Sequence, residues 1–151
     1  MVGIAYNLDV PELDRLLATA LRASRVVVEH SEDLNAIAAA IAENAAKQRI
    51  SEDKRDPDGN PWELWKTSGQ DRRPGHTILH MDGHLRDSIA GRATAQEAVV
   101  GSNLIYAAIH QLGGDTSKGH PAIPARPYLG LSTDDRGELT TALTDYLRDH
   151  L

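Results

Sequence analysis

His76, His80 and His84 stand at four-residue intervals and are the first residues whose spacing could do chemistry. On a continuous helix they would share one face, and three imidazoles can bind Zn²⁺ or Ni²⁺. However, Gly83 interrupts such a helix, and the glutamate of an H-E-x-x-H motif is absent. Solvated or core-edge histidines explain the pattern better, so we expect no metal here. A metal-binding enzyme that uses these three residues remains the alternative function.

A nucleophile, a base and an orienting acid can be chosen from Ser88, His110 and Asp87. Ser88 does not lie in a G-x-S-x-G turn, so the sequence gives no reason to bring the three together. The carboxylate pairs Glu52-Asp53 and Asp134-Asp135 lie in a loop and at a helix start, where solvation and capping explain them. We therefore predict a protein without catalytic residues and without cofactors.

Arg126 differs from these groups because prolines flank it, Pro124 on one side and Pro127 on the other. Two prolines stiffen the backbone, so the guanidinium has little conformational entropy left to lose. Its charge is expected either to form a salt bridge that ties the proline-rich segment to the body or to contact a partner or ligand.

The composition is that of a globular domain with few aromatic residues. The chain has 151 residues, of which 40% are hydrophobic, and a net charge of −6. Two Trp, four Tyr and no Phe leave a thin aliphatic core, so we expect a partner to cover part of the apolar surface. The absence of Cys excludes structural disulfides and Cys-ligated zinc. No segment approaches the roughly 20 apolar residues of a membrane span, and an acidic chain without a basic cluster is a poor candidate for specific nucleic-acid binding.

Helical periodicity dominates the N-terminal third of the chain. A first helix is predicted from the cap Asp9, and its apolar stripe consists of Leu13, Leu16, Leu17, Ala20 and Leu21. A second helix is predicted from Ser31, with an alanine-rich stripe that allows close packing. The segment Val26–Val28 between them is either a short strand or a continuation that joins the two helices.

The middle of the chain loses this periodicity. Residues 52–75 begin with turn-forming residues, Asp56 to Pro61, and continue into a loop that we expect to be mobile. Ile78 to Ile89 has the pattern of a short helix or turn that leads into a strand, with Gly83 as the break. Leu85 to Arg92 and Ala98 to Gly101 are then predicted to pair as a hairpin across Ala93 to Glu97.

The C-terminal part returns to helix. One helix is predicted over Leu104 to Leu112, and three prolines keep Asp115 to Leu131 extended. Ser132 and Asp135 then form a capping pair for the last helix. The predicted fold class is α+β in a single domain, with N-terminal helices, a small antiparallel sheet and a C-terminal helix.

Four motifs in this order resemble a known family. They are Asp56-Pro57-Asp58-Gly59-Asn60-Pro61-Trp62, then Ile78-Leu79 with Gly83-x-Leu85, then Tyr106-Ala107-x-Ile109-His110-Gln111-x-Gly113, and finally Ile123-Pro124-Ala125-Arg126-Pro127-Tyr128-Leu129. Their order and spacing are similar to those of the phage virion morphogenesis (tail completion) family, which includes the Mu-like G protein. The resemblance runs from about Asp56 to Leu151. Leu112 stands where the family often has an aromatic residue, and Tyr128 stands where it usually has Phe. These departures thin the core without contradicting the fold.

The resemblance implies a structural protein of the virion rather than an enzyme. Such a protein is located in the tail or neck, after assembly in the host cytoplasm, and it completes the tail end and helps to join the tail to the head. The expected partners are further copies of the same chain in a ring-like hexamer, the end of the tail tube and sheath, and head–neck proteins. Neither a membrane nor a specific nucleic acid is implied as a partner.

The resemblance also implies structural or interface roles for the motif residues Pro57, Gly59, Trp62, Leu79, Gly83, Leu85, Tyr106, His110, Gln111, Gly113, Pro124, Arg126, Pro127 and Tyr128. The aromatic and aliphatic members are expected to fill the core, and the glycines to permit turns. Arg126, His110 and Gln111 are expected to form a conformation-fixing or subunit-contact cluster. The one tail-completion-like domain then comprises N-terminal helices over 9–49, a mobile loop over 52–75 and an α+β body over 76–151.

Overall fold

The computed structural model describes residues 11–64, 76–115 and 122–151. These ranges form α1 (Pro11–Glu29), α2 (Ser31–Gln48), α3 (His84–Ser88), β1 (Ile89–Ala93), β2 (Ala98–Ser102), α4 (Ala107–Leu112) and α5 (Thr133–His150), and a π-helical turn, Arg49–Asp53, extends α2. The predicted α+β class is confirmed. The predicted cap Asp9, Trp65 and the loop at 65–75 lie outside the described residues, as do residues 116–121.

Helix α1 continues through Val26–Val28, so this segment is helical and not a strand. His30 alone separates α1 from α2. Backbone hydrogen bonds bridge the junction, from His30 N to Val26 O (2.9 Å) and from Leu34 N to His30 O (3.0 Å). The two helices therefore follow one another almost without interruption.

The apolar stripe of α1 faces away from the body. Leu16, Leu17 and Leu21 are 67%, 52% and 69% exposed, whereas Val26 is buried. Each helical residue advances by about 100°, so Val26 lies about 140° around the helix axis from Leu21. The helix thus contacts the rest of the chain on the Val26 side and presents its leucines outward.

Helix α2 packs on the hairpin through small residues. Ala39 and Ala46 are buried, and a Cβ added at Gly91 would lie 3.0 Å from the Ala39 carbonyl oxygen. Glu43 accepts the Gly91 backbone N–H at 2.7 Å. Glycine in β1 is therefore what permits the helix and the strand to approach so closely.

The hairpin is antiparallel, with Ile89 opposite Ser102 and Ala93 opposite Ala98. Its first strand is shorter than predicted, because Leu85 to Ser88 form α3 and not the start of β1. Gly83 has a φ of +81°, a conformation that turns the chain and lets a helix begin at His84. The prediction of a strand from Leu85 was wrong for this reason.

The C-terminal elements follow the sequence signals closely. Helix α4 begins at Ala107, three residues later than predicted, because Leu104 to Tyr106 form a turn in which Ala107 N donates to Leu104 O (3.0 Å). Ser132 caps α5 in a capping box with Asp135, as predicted. The apolar side chains of α5 are only partly buried, against α2 and α1.

The core lies between α2, the hairpin, α4 and the extended segment before α5. It consists of Ala46, Ile50, Trp62, Ile78, Leu85, Ile89, Ala107 and Tyr128. None of the helices in the described ranges is long and apolar enough to cross a membrane.

Candidate functional site

The proline segment, residues 123–130, lies between α4 and residues 49–63. On the α4 side, Gly114 and Ile123 exchange two backbone hydrogen bonds of 2.8 and 3.1 Å, and Arg126 N donates to His110 O at 2.8 Å. Gln111 extends this contact, because its Oε1 accepts the backbone N–H groups of both Tyr128 and Leu129 at 2.9 Å. One side chain of α4 thus satisfies two consecutive backbone donors of the segment.

Tyr128 carries the proline segment into the core. It is 1% exposed, and its hydroxyl donates to Ala107 O at 2.9 Å. Burial raises the pKa of this hydroxyl, which therefore stays a donor at neutral pH. From the other side, the Trp62 indole N–H donates to Pro127 O at 3.1 Å.

Arg49 joins three elements at the end of α2. It is 4% exposed, and its Nη1 donates to the carbonyl oxygens of Tyr128 (3.1 Å) and Gly130 (2.8 Å), while its Nη2 forms an ion pair with Asp135. Burial alone would raise the pKa of Asp135, but hydrogen bonds from Ser132 and the charge of Arg49 outweigh it, so the pKa is lowered. Sequence reasoning missed Arg49, because a cation at a helix C-terminus is usually explained by the helix dipole alone.

Arg126 ties the proline segment to the opposite side by a different contact from the predicted salt bridge. It is 6% exposed, and its Nε and Nη2 donate to Glu63 O at 3.1 and 3.0 Å. Within the described ranges it forms no ion pair with a carboxylate. Burial lowers the pKa of the guanidinium, and the nearby Glu63 charge partly opposes this shift.

A pocket of about 220 Å³ opens beside these residues. Residues of the 79–85 segment, together with α4 and the residue before it, form its walls, and Arg126 contributes to its lining. The motif residues that line it are Leu79, Gly83, Leu85, Tyr106, His110 and Arg126. Tyr106 was expected in the core but is 43% exposed; its ring lines the pocket and packs edge-on against His110 (5.9 Å between centroids).

His110 is the polar residue of this pocket whose partners are incomplete. Its Nδ1 is buried and has no hydrogen-bond partner among the described residues. Burial, and then the charge of Arg126, lower its pKa, so the imidazole is neutral at pH 7. His110 and Arg126 are therefore both residues of the sequence motifs and polar residues of the pocket lining.

Comparison with known proteins identifies the lineage of this arrangement. The model of the phage virion morphogenesis family matches residues 8–148. The chain belongs to this family. It is 36% identical over 107 residues to protein G of Escherichia phage Mu, to which a capsid assembly role is attributed, over 66% of this chain and 69% of the relative. It is also 42% identical over 66 residues to the Mu-like prophage FluMu G protein 2 of Haemophilus influenzae, over 43% of this chain and 48% of that relative. No solved structure matches the chain.

The family resemblance read from the sequence is thereby confirmed, and with it a structural role in phage assembly.

In this virion morphogenesis protein the remaining motif residues shape turns against the proline segment. Gly59 has a φ of +87° in a turn where Gly59 N donates to Asp56 O at 3.0 Å. Pro57 lies against the other side of the segment, since a Cβ added at Gly130 would lie 2.8 Å from its Cγ. Gly113 ends α4 with a φ of +80°, and a Cβ there would lie 3.0 Å from the Ala125 backbone nitrogen.

The three histidines of the predicted alternative do not share a helix face. Thr77 and His80 pair as an isolated bridge, Gly83 breaks the chain direction, and His84 begins α3. His76 Nε2 lies 3.6 Å from an Asp82 carboxylate oxygen. In the part of the chain that the structure describes, no group of three His, Asp or Glu residues is arranged to hold a metal ion.

The chosen triad does not form either. The Ser88 hydroxyl hydrogen-bonds to Leu85 O and to the Ser102 hydroxyl, both at 2.7 Å, and Asp87 pairs with its neighbour Arg86. Asp135, from one of the carboxylate pairs, serves as the α5 cap and as the partner of Arg49.

Proposed function

We propose that this protein completes the end of a phage tail and supports the joining of tail to head. It acts through protein–protein contacts in a ring of six copies and catalyses no reaction. The family supports an assembly role, and the side chains of Gln111 and Arg126 hydrogen-bond to backbone groups that hold the proline segment.

The observation that carries the proposal is the uncovered apolar face of α1. Leu16, Leu17 and Leu21 lie on one side of the helix and are all more than half exposed. Together with Val28, which is 74% exposed, they present on the order of several hundred Å² of apolar surface, a size that marks interaction sites in soluble proteins. A stable interface needs roughly 800 Å² on each partner, so this face supplies a large share of one.

A cyclic ring joins two different patches of the same subunit. Further apolar side chains are exposed around α4, since Ile105 in the turn before the helix is 100% exposed and Leu112 at its end is 76% exposed. The α1 face and these side chains belong to different elements, as a heterologous contact requires. We expect the α1 face of one copy to contact such a second patch on the next copy.

The decisive experiment removes the gene from the phage or prophage that encodes it and images the particles by electron microscopy. We expect DNA-filled heads and separate tails with abnormal ends, and joined particles again when the wild-type protein is supplied. Malformed or missing heads beside normal tails would contradict tail completion and would favour a capsid role like that attributed to the Mu relative.

A pair of variants tests the surface itself. Leu21→Glu places a charge in the exposed stripe, while Thr19→Glu places the same charge at an exposed position about 160° around the helix axis from Leu21. Leu21→Glu is expected to reduce both the oligomeric fraction, measured by native mass spectrometry, and the yield of joined particles at least tenfold. Thr19→Glu should leave both unchanged. Equal behaviour of the two variants would remove α1 from the interface.

A further inference from the structure

The pocket beside α4 contains a buried cation, Arg126, whose charge no carboxylate of the described residues neutralises at contact distance. Two nitrogens of the Arg126 guanidinium share one neutral acceptor, Glu63 O, and within the described residues Nη1 has no hydrogen-bond acceptor. The Glu63 carboxylate acts on Arg126 only from a longer distance, where it raises the pKa of the guanidinium. A buried charge of this kind is costly unless a counter-ion pairs with it, so an incoming carboxylate gains more here than at the surface.

Within the described part of the chain, a second polar group of the same pocket has no hydrogen-bond partner. The Nδ1 atom of His110 is buried and unbonded among the described residues, and the imidazole lines the pocket with Arg126. The walls are apolar, from Leu79, Met81 and Leu85. The lining therefore suits an anionic head on a short aliphatic stem.

The size of the pocket and the charge at its rim further restrict which ligands can bind. The volume of about 220 Å³ is below the roughly 300–1,000 Å³ of small-molecule sites, so it fits one side chain better than a metabolite. Asp82 also lines the pocket, and its carboxylate lies 3.6 Å from His76 Nε2. This negative rim disfavours small free anions, which gain nothing from the apolar walls to offset the repulsion.

We propose that this pocket binds the carboxylate of an aspartate or glutamate side chain from a neighbouring protein of the assembled particle. Arg126 pairs with the acid, and Leu79, Met81 and Leu85 contact its aliphatic stem. That the partner is another assembly protein rests on the function proposed above. The binding of a carboxylate in the pocket can be tested on the isolated protein.

The test is a titration followed by NMR at the Arg126 side-chain Nε–H and the His110 imidazole. The probe is N-acetyl-glutamate N-methylamide, and the matched control is the glutamine analogue, which differs only in its charge. We expect saturable shifts with the acid, with a Kd on the order of 1–10 mM, and no saturation with the amide. Linear, unsaturated shifts with the acid, or equal shifts with both compounds, would overturn the proposal.

Substitution of Arg126 itself would also break its contact to Glu63, so a rim residue is the better variant. Met81 is 45% exposed and lines the pocket. Both Met81→Gln and Met81→Glu remove the apolar contact to the stem, but only Met81→Glu adds a negative charge to the pocket that Arg126 lines. Met81→Glu is therefore expected to bind the probe about fivefold more weakly than Met81→Gln. Equal affinities of these two variants would refute the electrostatic basis of the site.

The acid can come from a second copy of this chain or from another assembly protein. Arg126 and His110 resonances that move on dilution of the protein without probe identify the second copy as its source. Resonances that stay constant, together with saturable probe binding, identify another protein. Malformed heads in the gene-removal experiment would contradict tail completion and would leave the NMR shifts of the pocket unaffected. The two proposals can therefore be refuted independently.

Discussion

Gln111 offers the sharpest test of how the proline segment is held. Its Oε1 accepts two backbone N–H groups, from Tyr128 and Leu129, both at 2.9 Å. Gln111→Met keeps the length of the side chain but removes the acceptor. Each buried donor left without a partner costs about 1–3 kcal/mol, and Leu129 is only half-buried, so water replaces part of its loss. The expected loss is therefore about 2–4 kcal/mol.

This loss is a large share of the roughly 5–15 kcal/mol that stabilises a typical domain. It corresponds to a decrease in Tm of roughly 5–15 °C for a chain of this size. Urea unfolding, followed by tryptophan fluorescence, measures it, since the Trp62 indole donates to Pro127 O at the segment itself. Gln111→Glu is the matched control, because a carboxylate still accepts both N–H groups. It exchanges the long 3.4 Å donation from Gln111 Nε2 to Leu129 O for a weak repulsion between two oxygens.

We expect Gln111→Glu to lose less than about 1.5 kcal/mol in the free energy of unfolding, well below Gln111→Met. If Gln111→Met unfolds within 0.5 kcal/mol of wild type, or if both variants lose the same amount, the side chain does not hold the segment as the geometry indicates.

Three further predictions concern the same region and the C-terminal helix. Gly113→Ala should cost about 1–3 kcal/mol of unfolding free energy, because its φ of +80° and the 3.0 Å approach of the proline segment both oppose a Cβ. Gly137 lies inside α5 with open space around it, so Gly137→Ala should instead stabilise the protein by about 0.5–1 kcal/mol in the same urea assay. Ser132→Ala should cost about 1 kcal/mol by loss of the capping box, and a calorimetric Tm equal to wild type would contradict this. The pKa of His110 is lowered in the folded state, so the unfolded chain binds more protons than the folded chain as the pH falls below the ordinary value of 6.5. Stability should therefore decline with falling pH until the folded-state pKa is passed. His110→Asn should flatten this decline in urea midpoints measured between pH 7 and pH 5.

Local signals in the sequence predicted the elements whose stabilising contacts are local. The cap of α5 depends on Ser132 and Asp135, three residues apart, and the structure contains both of its hydrogen bonds. The strand predicted from Leu85 failed for the complementary reason. The five residues His84–Ser88 are too few to distinguish the period of a helix from that of a strand. The positive φ of Gly83, and not the apolar pattern, sets the start of a helix here.

Distant contacts could not be predicted in the same way. Arg49 holds carbonyl groups 79 and 81 residues away, and nothing in its neighbourhood distinguishes it from an ordinary helix-end cation. The stripe of α1 shows the reverse limit. Periodicity correctly indicated one apolar face, but a pattern cannot say whether that face meets the chain's own core or another molecule.

The position of the proline segment along the chain has a consequence for how the protein is made. Its partners Arg49 and Trp62 precede it by 79 and 65 residues. During synthesis, these groups leave the ribosome long before the segment that satisfies them, so the core around Tyr128 cannot close until the last quarter of the chain has emerged. Closure of such long loops is entropically unfavourable and slows folding. Folding of this subunit should therefore finish only after the proline segment has been made, and premature termination before residue 123 should yield a chain that proteases digest rather than a smaller stable domain.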